Sequence, residues 1–332
     1  MKTIPSTTRA LLINSIVLFT TAQLHAQHYQ AGSEGIKAGS PAALGFTVED
    51  YNSFYYADRA TGLLKAVEPG FDNFTYTQSP RLIWTTKLDL LGADYGAALR
   101  VPFGYKEVTL RTPVVPPGSM FPPPQGGPTT SLTLNQFGLE DIEIQPLILS
   151  WQLKHFDITA GYSVWAPTGD HDVNTVYLIR LGQDCWTHMF TLGGTWYPDT
   201  DKTWAFSVLT RYEISTEQFL QSVPTSSTTS TSQYDTPGDT FTLEWAASKT
   251  IVDHVNVGLS GYYQQQVTDT ETPASISNSY LNHLVDVAGI GPEIGVTIPQ
   301  WGLAASLRYA YEFTSNDRPE GNQITLTLRK TF

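Results

Sequence analysis

The chain has 332 residues, a formal net charge of −12, one cysteine, and a composition 41% apolar and only 15% charged, which excludes disorder and allows one large or two medium domains. Its acidity excludes a nucleic-acid footprint, because phosphate contacts need clustered Lys and Arg. Few charges beside plentiful Tyr, Trp, Phe, Thr and Ser suit a barrel with an uncharged outer face.

Lys2 and Arg9 precede an apolar run from Ala10 to Phe19, and Leu24, His25 and Ala26 follow it. The pattern predicts a secretory signal over residues 1–26, cleaved after Ala26. As a spanning helix the run is too short, since about 20 residues are needed. Cys185 stands alone and away from the cleavage site, so neither an intramolecular disulfide nor a lipid anchor is expected. Beyond the signal no apolar run is long enough to cross a bilayer as a helix. An exported chain of this kind is soluble or a closed barrel.

Residues 27–44 are rich in Gly, Ala and Ser and predict an irregular periplasmic segment. A first strand is expected over Gly45–Asp58, where Phe46, Val48, Tyr51, Phe54 and Tyr56 alternate imperfectly. Arg59–Pro80, with Gly62, Pro69, Gly70 and Asn73, predicts a long loop. Arg81–Leu91 and Asp94–Phe103 alternate cleanly and predict strands around a tight hairpin at Gly92 and Ala93. Gly104–Gly138 carries seven prolines between Pro113 and Pro128 and predicts another long loop. Leu139–Leu153 changes phase between Ile142/Ile144 and Leu147/Leu149/Trp151, which a bulge near Pro146 reconciles.

Phe156–Trp165, Thr187–Tyr197, Thr203–Ser215, Asp239–Lys249, His254–Val267, Val287–Ile298, Trp301–Thr314 and Asn322–Phe332 complete the strands. Between them lie long polar stretches, including the Ser/Thr-rich 216–238, in alternation with short turns. The total is about twelve strands. Short turns on one side and long loops on the other are the habit of outer-membrane barrels, and a β-sandwich has no reason to enforce it. Aromatic residues at strand ends, among them Trp84, Tyr95, Trp151, Phe156, Trp204, Trp245, Trp301, Tyr311, Phe313 and Phe332, suit interfacial girdles. The expected fold is an all-β, transmembrane, antiparallel up-and-down barrel over residues 45–332, with short periplasmic turns and long extracellular loops.

With the apolar set facing lipid, the other parity lines the lumen. It places Lys87, Arg100, Arg211, Glu213, Glu244, Gln264, Gln266, Glu293, Arg308, Glu312 and Arg329 inside, with Asn256. Charges of both signs there either brace the wall as Arg–Glu pairs or sense the charge of a solute. Twelve strands lie between the filled eight-stranded barrel and the open sixteen-stranded pore. A narrow pore follows, or one plugged in part by the segment before Gly45 or by an inward-folded loop.

Signatures of chemistry are weak. Gly289–Gly295 has the wrong spacing for a phosphate loop and no helix after it. Asp170, His171 and Asp172 form a tight carboxylate–imidazole cluster on a long loop, without the further ligands a metal site needs. His171 and His188 lie at the height where barrel hydrolases work, yet neither has a nucleophile beside it by parity. No enzyme activity and no cofactor are expected. A hydrolase acting on lipid or peptide, and a structural or adhesive barrel, stand as alternatives from other classes.

Gly138-Leu139-Glu140-Asp141, with Pro146, Leu149 and Trp151, and Ala166-Pro167-Thr168-Gly169-Asp170 resemble the outer-membrane proteins named for the meta-pathway of phenol degradation. So do Tyr212-Glu213, Thr236-Pro237-Gly238-Asp239, Gly261-Tyr262-Tyr263, Gly289-Ile290-Gly291-Pro292-Glu293, and Arg308-Tyr309 with Glu312-Phe313. The resemblance covers about Gly45 to Phe332. It implies a Gram-negative outer-membrane barrel that takes up aromatic or other hydrophobic compounds, and it names no binding residue. The partners expected are outer-membrane lipid, a small-molecule solute, and the barrel-assembly machinery through the terminal strand ending in Phe332. That strand has Lys330 where an aromatic is common, leaving recognition to Leu326, Leu328 and Phe332.

Overall fold

The structure, a computed structural model, describes residues 28–61, 70–113, 129–170, 179–224, 230–271 and 284–332. The expected signal, His171 and Asp172, and the Pro-rich stretch 114–128 lie outside the described residues.

Among the described residues, sixteen strands form in chain order. They are β1 (Gly45–Ala60), β2 (Gly70–Leu90), β3 (Ala93–Arg100), β4 (Phe103–Pro113), β5 (Thr129–Leu139), β6 (Ile142–Gln152), β7 (Phe156–Ala166) and β8 (Thr187–Trp196). After them come β9 (Trp204–Ser215), β10 (Gln218–Pro224), β11 (Ser230–Asp235), β12 (Thr240–Val252), β13 (Val255–Gln266), β14 (Asp286–Ile298), β15 (Leu303–Asn316) and β16 (Pro319–Thr331). All pairings of the main sheet are antiparallel, and β1 bonds both β2 and β16, so the sheet closes. β3 and β4 pair with successive halves of β2, and β5 and β6 continue outward from them in the same way. Counting each broken pair once, the barrel has twelve strands, as expected from the sequence.

The breaks fall where the backbone cannot serve the ladder. Proline has no N–H to give, and Pro80 and Pro102 sit at the junction where β2 changes partner from β4 to β3. There the Val101 amide donates to the Pro80 carbonyl at 3.0 Å, and the Glu140 amide to the Pro102 carbonyl at 2.9 Å. The bulge expected near Pro146 is present as a register shift between Ile144 and Leu147. Between β2 and β3 the turn is Leu91–Gly92, with φ of 59° and 76°. Two left-handed residues are what a two-residue hairpin requires.

Several strands run longer than expected. Gly70–Pro80, assigned to a loop, is the outer half of β2, and its inward set mixes Phe71 with Asn73, Thr77 and Ser79, which hides the alternation. Much of Gly104–Gly138 is also strand: β4 and β5 pair from Phe103–Leu139 out to Pro113–Thr129. Pro113 itself is paired with Thr129 at the last described rung of this ladder. β10 and β11 form a separate hairpin within the Ser/Thr-rich stretch, and β16 begins at Pro319, inside the expected connection.

Face assignment follows the alternation. On β9 Trp204, Phe206, Val208 and Ile214 are exposed, while Ser207, Arg211 and Glu213 are buried. On β16 Ile324 and Leu328 point out and Thr325 points in, and Phe332, just beyond it, is exposed. β1 is irregular because Tyr51 and Tyr55 turn inward, against Phe46, Val48, Phe54 and Tyr56 outside. Its register with β16 nonetheless runs from Thr47–Thr331 to Ala60–Pro319.

The segment 28–44 is irregular as expected, but its place is the lumen rather than the periplasm. The wall offers buried carboxylates and guanidinium groups, and this segment's free amides and carbonyls satisfy them.

Candidate functional site

From its wall attachment at Gly45 the segment runs up the barrel axis to His28, forming a plug. Near the short-turn end Ser40 meets the Tyr197 hydroxyl at 2.8 Å. Gly39 lies so close to β8 that a Cβ there would sit 2.4 Å from Gly194 backbone atoms. Only glycine permits that approach. Higher up, the Ile36 amide donates to Glu293 (2.9 Å), the Glu34 amide to Glu244 (3.1 Å) and the Tyr29 amide to Glu213 (3.1 Å). Arg308 donates to the carbonyls of Gly32 (2.6 Å), Ser33 (3.1 Å) and Glu34, and its Nε lies 3.4 Å from Glu293. At the top His28 meets Asp141 at 2.9 Å and stacks on Trp165.

Tyr29 is the best buried of the plug side chains. Its hydroxyl donates to Glu244 at 2.6 Å, its carbonyl accepts from Gln264 at 3.0 Å, and the Arg211 guanidinium covers its ring at 3.8 Å.

Below Tyr29 the plug carries one carboxylate into a belt of arginines. Oε1 of Glu34 lies 3.4 Å from Arg211, 3.8 Å from Arg81 and 3.9 Å from Arg100, and Oε2 accepts from the Tyr51 hydroxyl at 3.1 Å. Each arginine also has a partner on the wall: Arg211–Glu244 at 2.6 Å, Arg100–Glu143 at 3.0 Å and Arg81–Glu49 at 3.4 Å. Arg329, half exposed at the short-turn mouth, pairs with Glu49 at 2.5 Å.

Three cavities follow one another along the axis. The outer one, about 290 Å³, is bounded by Tyr55, Trp165, Tyr262, Glu312 and Arg318 with the top of the plug. In its wall Glu312 accepts from Tyr55 (2.8 Å), Tyr262 (3.0 Å) and the Gly321 amide (2.7 Å), with Arg318 at 3.6 Å. A small cavity of about 30 Å³ between His28, Tyr51, Arg100 and Trp165 comes next, and an inner cavity of about 90 Å³ lies at Glu34, Arg81 and Arg329.

Of the expected lumenal residues, Arg100, Arg211, Glu213, Glu244, Gln264, Gln266, Glu293, Arg308 and Glu312 are buried inside. Gln266 serves locally, donating to the Thr268 carbonyl at 2.8 Å. Lys87 stands apart, exposed at the short-turn end of β2 beyond the register shift that begins at Thr85. Alternation alone missed Glu49, Arg81 and Glu143 as members of the belt, although their parity was inward. Tyr51 looked like an error of phase, and Tyr55 and Glu34 gave no signal. His188 faces outward and pairs with Tyr162 at 2.7 Å beside Phe190. Cys185 is buried beside Thr187 outside the spanning strands, and burial pushes its thiol up to about 12.

The family described as "Putative MetA-pathway of phenol degradation" matches residues 50–328. The chain belongs to this family. No curated protein matches it. Among solved structures it is similar to the COG4313 outer membrane channel from Pseudomonas putida F1, at 11% identity and a TM-score of 0.64, over 88% of this chain and 97% of that one. The β domain of the Bordetella autotransporter BrkA also aligns, at 10% identity and a TM-score of 0.48, over 88% of this chain and 100% of that one. The first likeness supports the fold, and family and fold together make this an outer-membrane β-barrel.

Proposed function

We propose that the protein is an outer-membrane channel through which small aromatic or hydrophobic solutes diffuse passively. The observation that carries this reading is the outer cavity of about 290 Å³, nearly twice the roughly 150 Å³ that accommodates benzene. Its walls offer the rings of Tyr55, Trp165 and Tyr262 to an apolar body and Gln264 and Gln323 to a polar substituent. Below it the small cavity and the inner cavity lie toward the short-turn mouth. The wall around them is a closed ladder, so a solute would move along the axis down its gradient. Export through the predicted signal and assembly through the strand ending in Phe332 belong to the same reading, as does the solute-sensing role of the lumenal residues.

Planar bilayers test it. Folded protein, recognised by heat-modifiable gel mobility, is expected to give small discrete conductance steps, which a small uncharged aromatic added from the long-loop side reduces more than an uncharged aliphatic of equal size. Silent bilayers from folded protein would end the channel reading, and equal effects of the two solutes would end the aromatic preference.

A further inference from the structure

Four guanidinium groups of the inner lumen, Arg81, Arg100, Arg211 and Arg329, face three wall carboxylates within ion-pair distance, Glu49, Glu143 and Glu244. Arg308 and Glu293 form a separate, balanced pair. Glu213 lies outside the belt and holds the Tyr29 amide. Among the described residues, the fourth negative charge of the belt is therefore Glu34, which comes from the plug. A set of braces would be complete with wall residues alone. Here three arginines on three strands converge on one oxygen of a segment that continues from β1 at Gly45.

We propose that the Arg81–Arg100–Arg211 cluster is the binding site for the carboxylate of a permeating solute, and that Glu34 occupies it in the closed barrel as a tethered stand-in. The inference rests on the channel reading and names the chemistry of its solute. Guanidinium groups match carboxylates in geometry and charge, and the match strengthens away from bulk water. The site suits a flat apolar acid. Tyr51 lies under Arg100 at 5.1 Å, and Ile83, buried on the inward face of β2, lines the same cavity. As such an acid arrives it exchanges for Glu34, and charge in the belt is conserved.

Benzoate is the probe, with benzyl alcohol as its uncharged counterpart. In calorimetric titrations of the folded full chain, Glu34→Gln is expected to bind benzoate on the order of tenfold more tightly than the parent, because the site has lost its internal competitor. Benzyl alcohol is expected to bind both alike, and Glu34→Gln/Arg211→Gln to lose the gain. In a potassium chloride gradient the reversal potential of Glu34→Gln moves toward that of chloride. One readout needs no variant: benzoate raises the conductance of the parent protein, and benzyl alcohol does not. Equal benzoate affinity in parent and Glu34→Gln, or no benzoate-induced rise in the conductance of a parent barrel that conducts, overturns the proposal. A conducting barrel indifferent to benzoate removes this site alone. A silent barrel that binds benzoate through Arg211 keeps the site and removes the channel.

Discussion

Above the level of His28 and Trp165 the lumen holds a cavity walled in part by the phenols of Tyr55 and Tyr262 around Glu312, whereas below it the space is filled by guanidinium groups, glutamates and the plug. Both halves obey one strand alternation. The outer network is local: Glu312, Tyr55, Tyr262 and Arg318 come from strands and connections that are neighbours or near neighbours around the closure of the barrel. The inner network depends on a segment from outside the sheet, since Glu34, Ile36 and the carbonyls of Gly32 to Glu34 supply partners that no strand provides. A barrel too wide to fill itself with side chains can thus leave one half open as a vestibule and close the other with a piece of its own chain.

Preventing the plug from docking is the strongest way to break this comparison. In Gly39→Leu the Cβ alone would meet the Gly194 backbone at 2.4 Å, so the lower plug is expected to leave its seat. Conductance should rise severalfold while heat-modifiable mobility survives, because the twelve ladders do not involve residue 39. Unchanged conductance would show that the inner half closes without the plug. Arg308→Ala should come next. It strands Glu293 and three plug carbonyls at once, and uncompensated buried charges of this kind cost about 3–5 kcal/mol. The expected result is a clear fall in the denaturant midpoint together with a more open pore; a loss of under about 1 kcal/mol would mean that water already serves these groups.

The barrel was legible in the sequence because lipid imposes one rule on every strand. Twelve strands, the closing β1–β16 pair and the bulge at Pro146 followed from period-two patterning and turn length. Legibility failed where an inward residue was apolar or aromatic, as with Phe71, Ile83, Tyr51 and Tyr55, because a lumen sheltered by a plug accepts rings that a wet lumen would not favour. The belt was legible only in part. Arg100, Arg211 and Glu244 stood out by parity, but the carboxylate that joins them belongs to a Gly-, Ala- and Ser-rich segment with no periodicity. Its position is set by tertiary hydrogen bonds and ion pairs rather than by any ladder.

Glu312→Gln tests the outer half. The amide keeps one acceptor for two phenols and brings an N–H₂ where the Gly321 amide already donates, so about 1–2 kcal/mol should be lost, the scale of one buried polar mismatch. If the two halves are as separate as their contacts, ion selectivity shifts and plug-dependent closure stays as it was. Closure that changes with Glu312 would join the halves.

The smallest effect is expected at the short-turn rim, where Asp199 accepts from the Thr203 hydroxyl (2.7 Å), the Thr203 amide (2.8 Å) and the Trp204 amide (3.0 Å). The Thr203 hydroxyl bond first, then the Trp204 amide, hold its carboxyl down to about 2. A folded-state value below the ordinary one means that ionised Asp199 favours the folded turn. Its contribution is complete above the usual carboxylate range and is lost as pH falls through about 2. Asp199→Asn should therefore lie slightly below the parent in thermal stability near neutral pH, and the gap should close in acid. Since the turn is exposed and sits at the end of β8 and β9, neither cavity should respond in conductance at any pH where the barrel stays folded. A conductance change in Asp199→Asn at neutral pH would show that the rim reaches the plug through Tyr197, which meets both Asp157 and Ser40, and the inner half would then extend to the membrane surface.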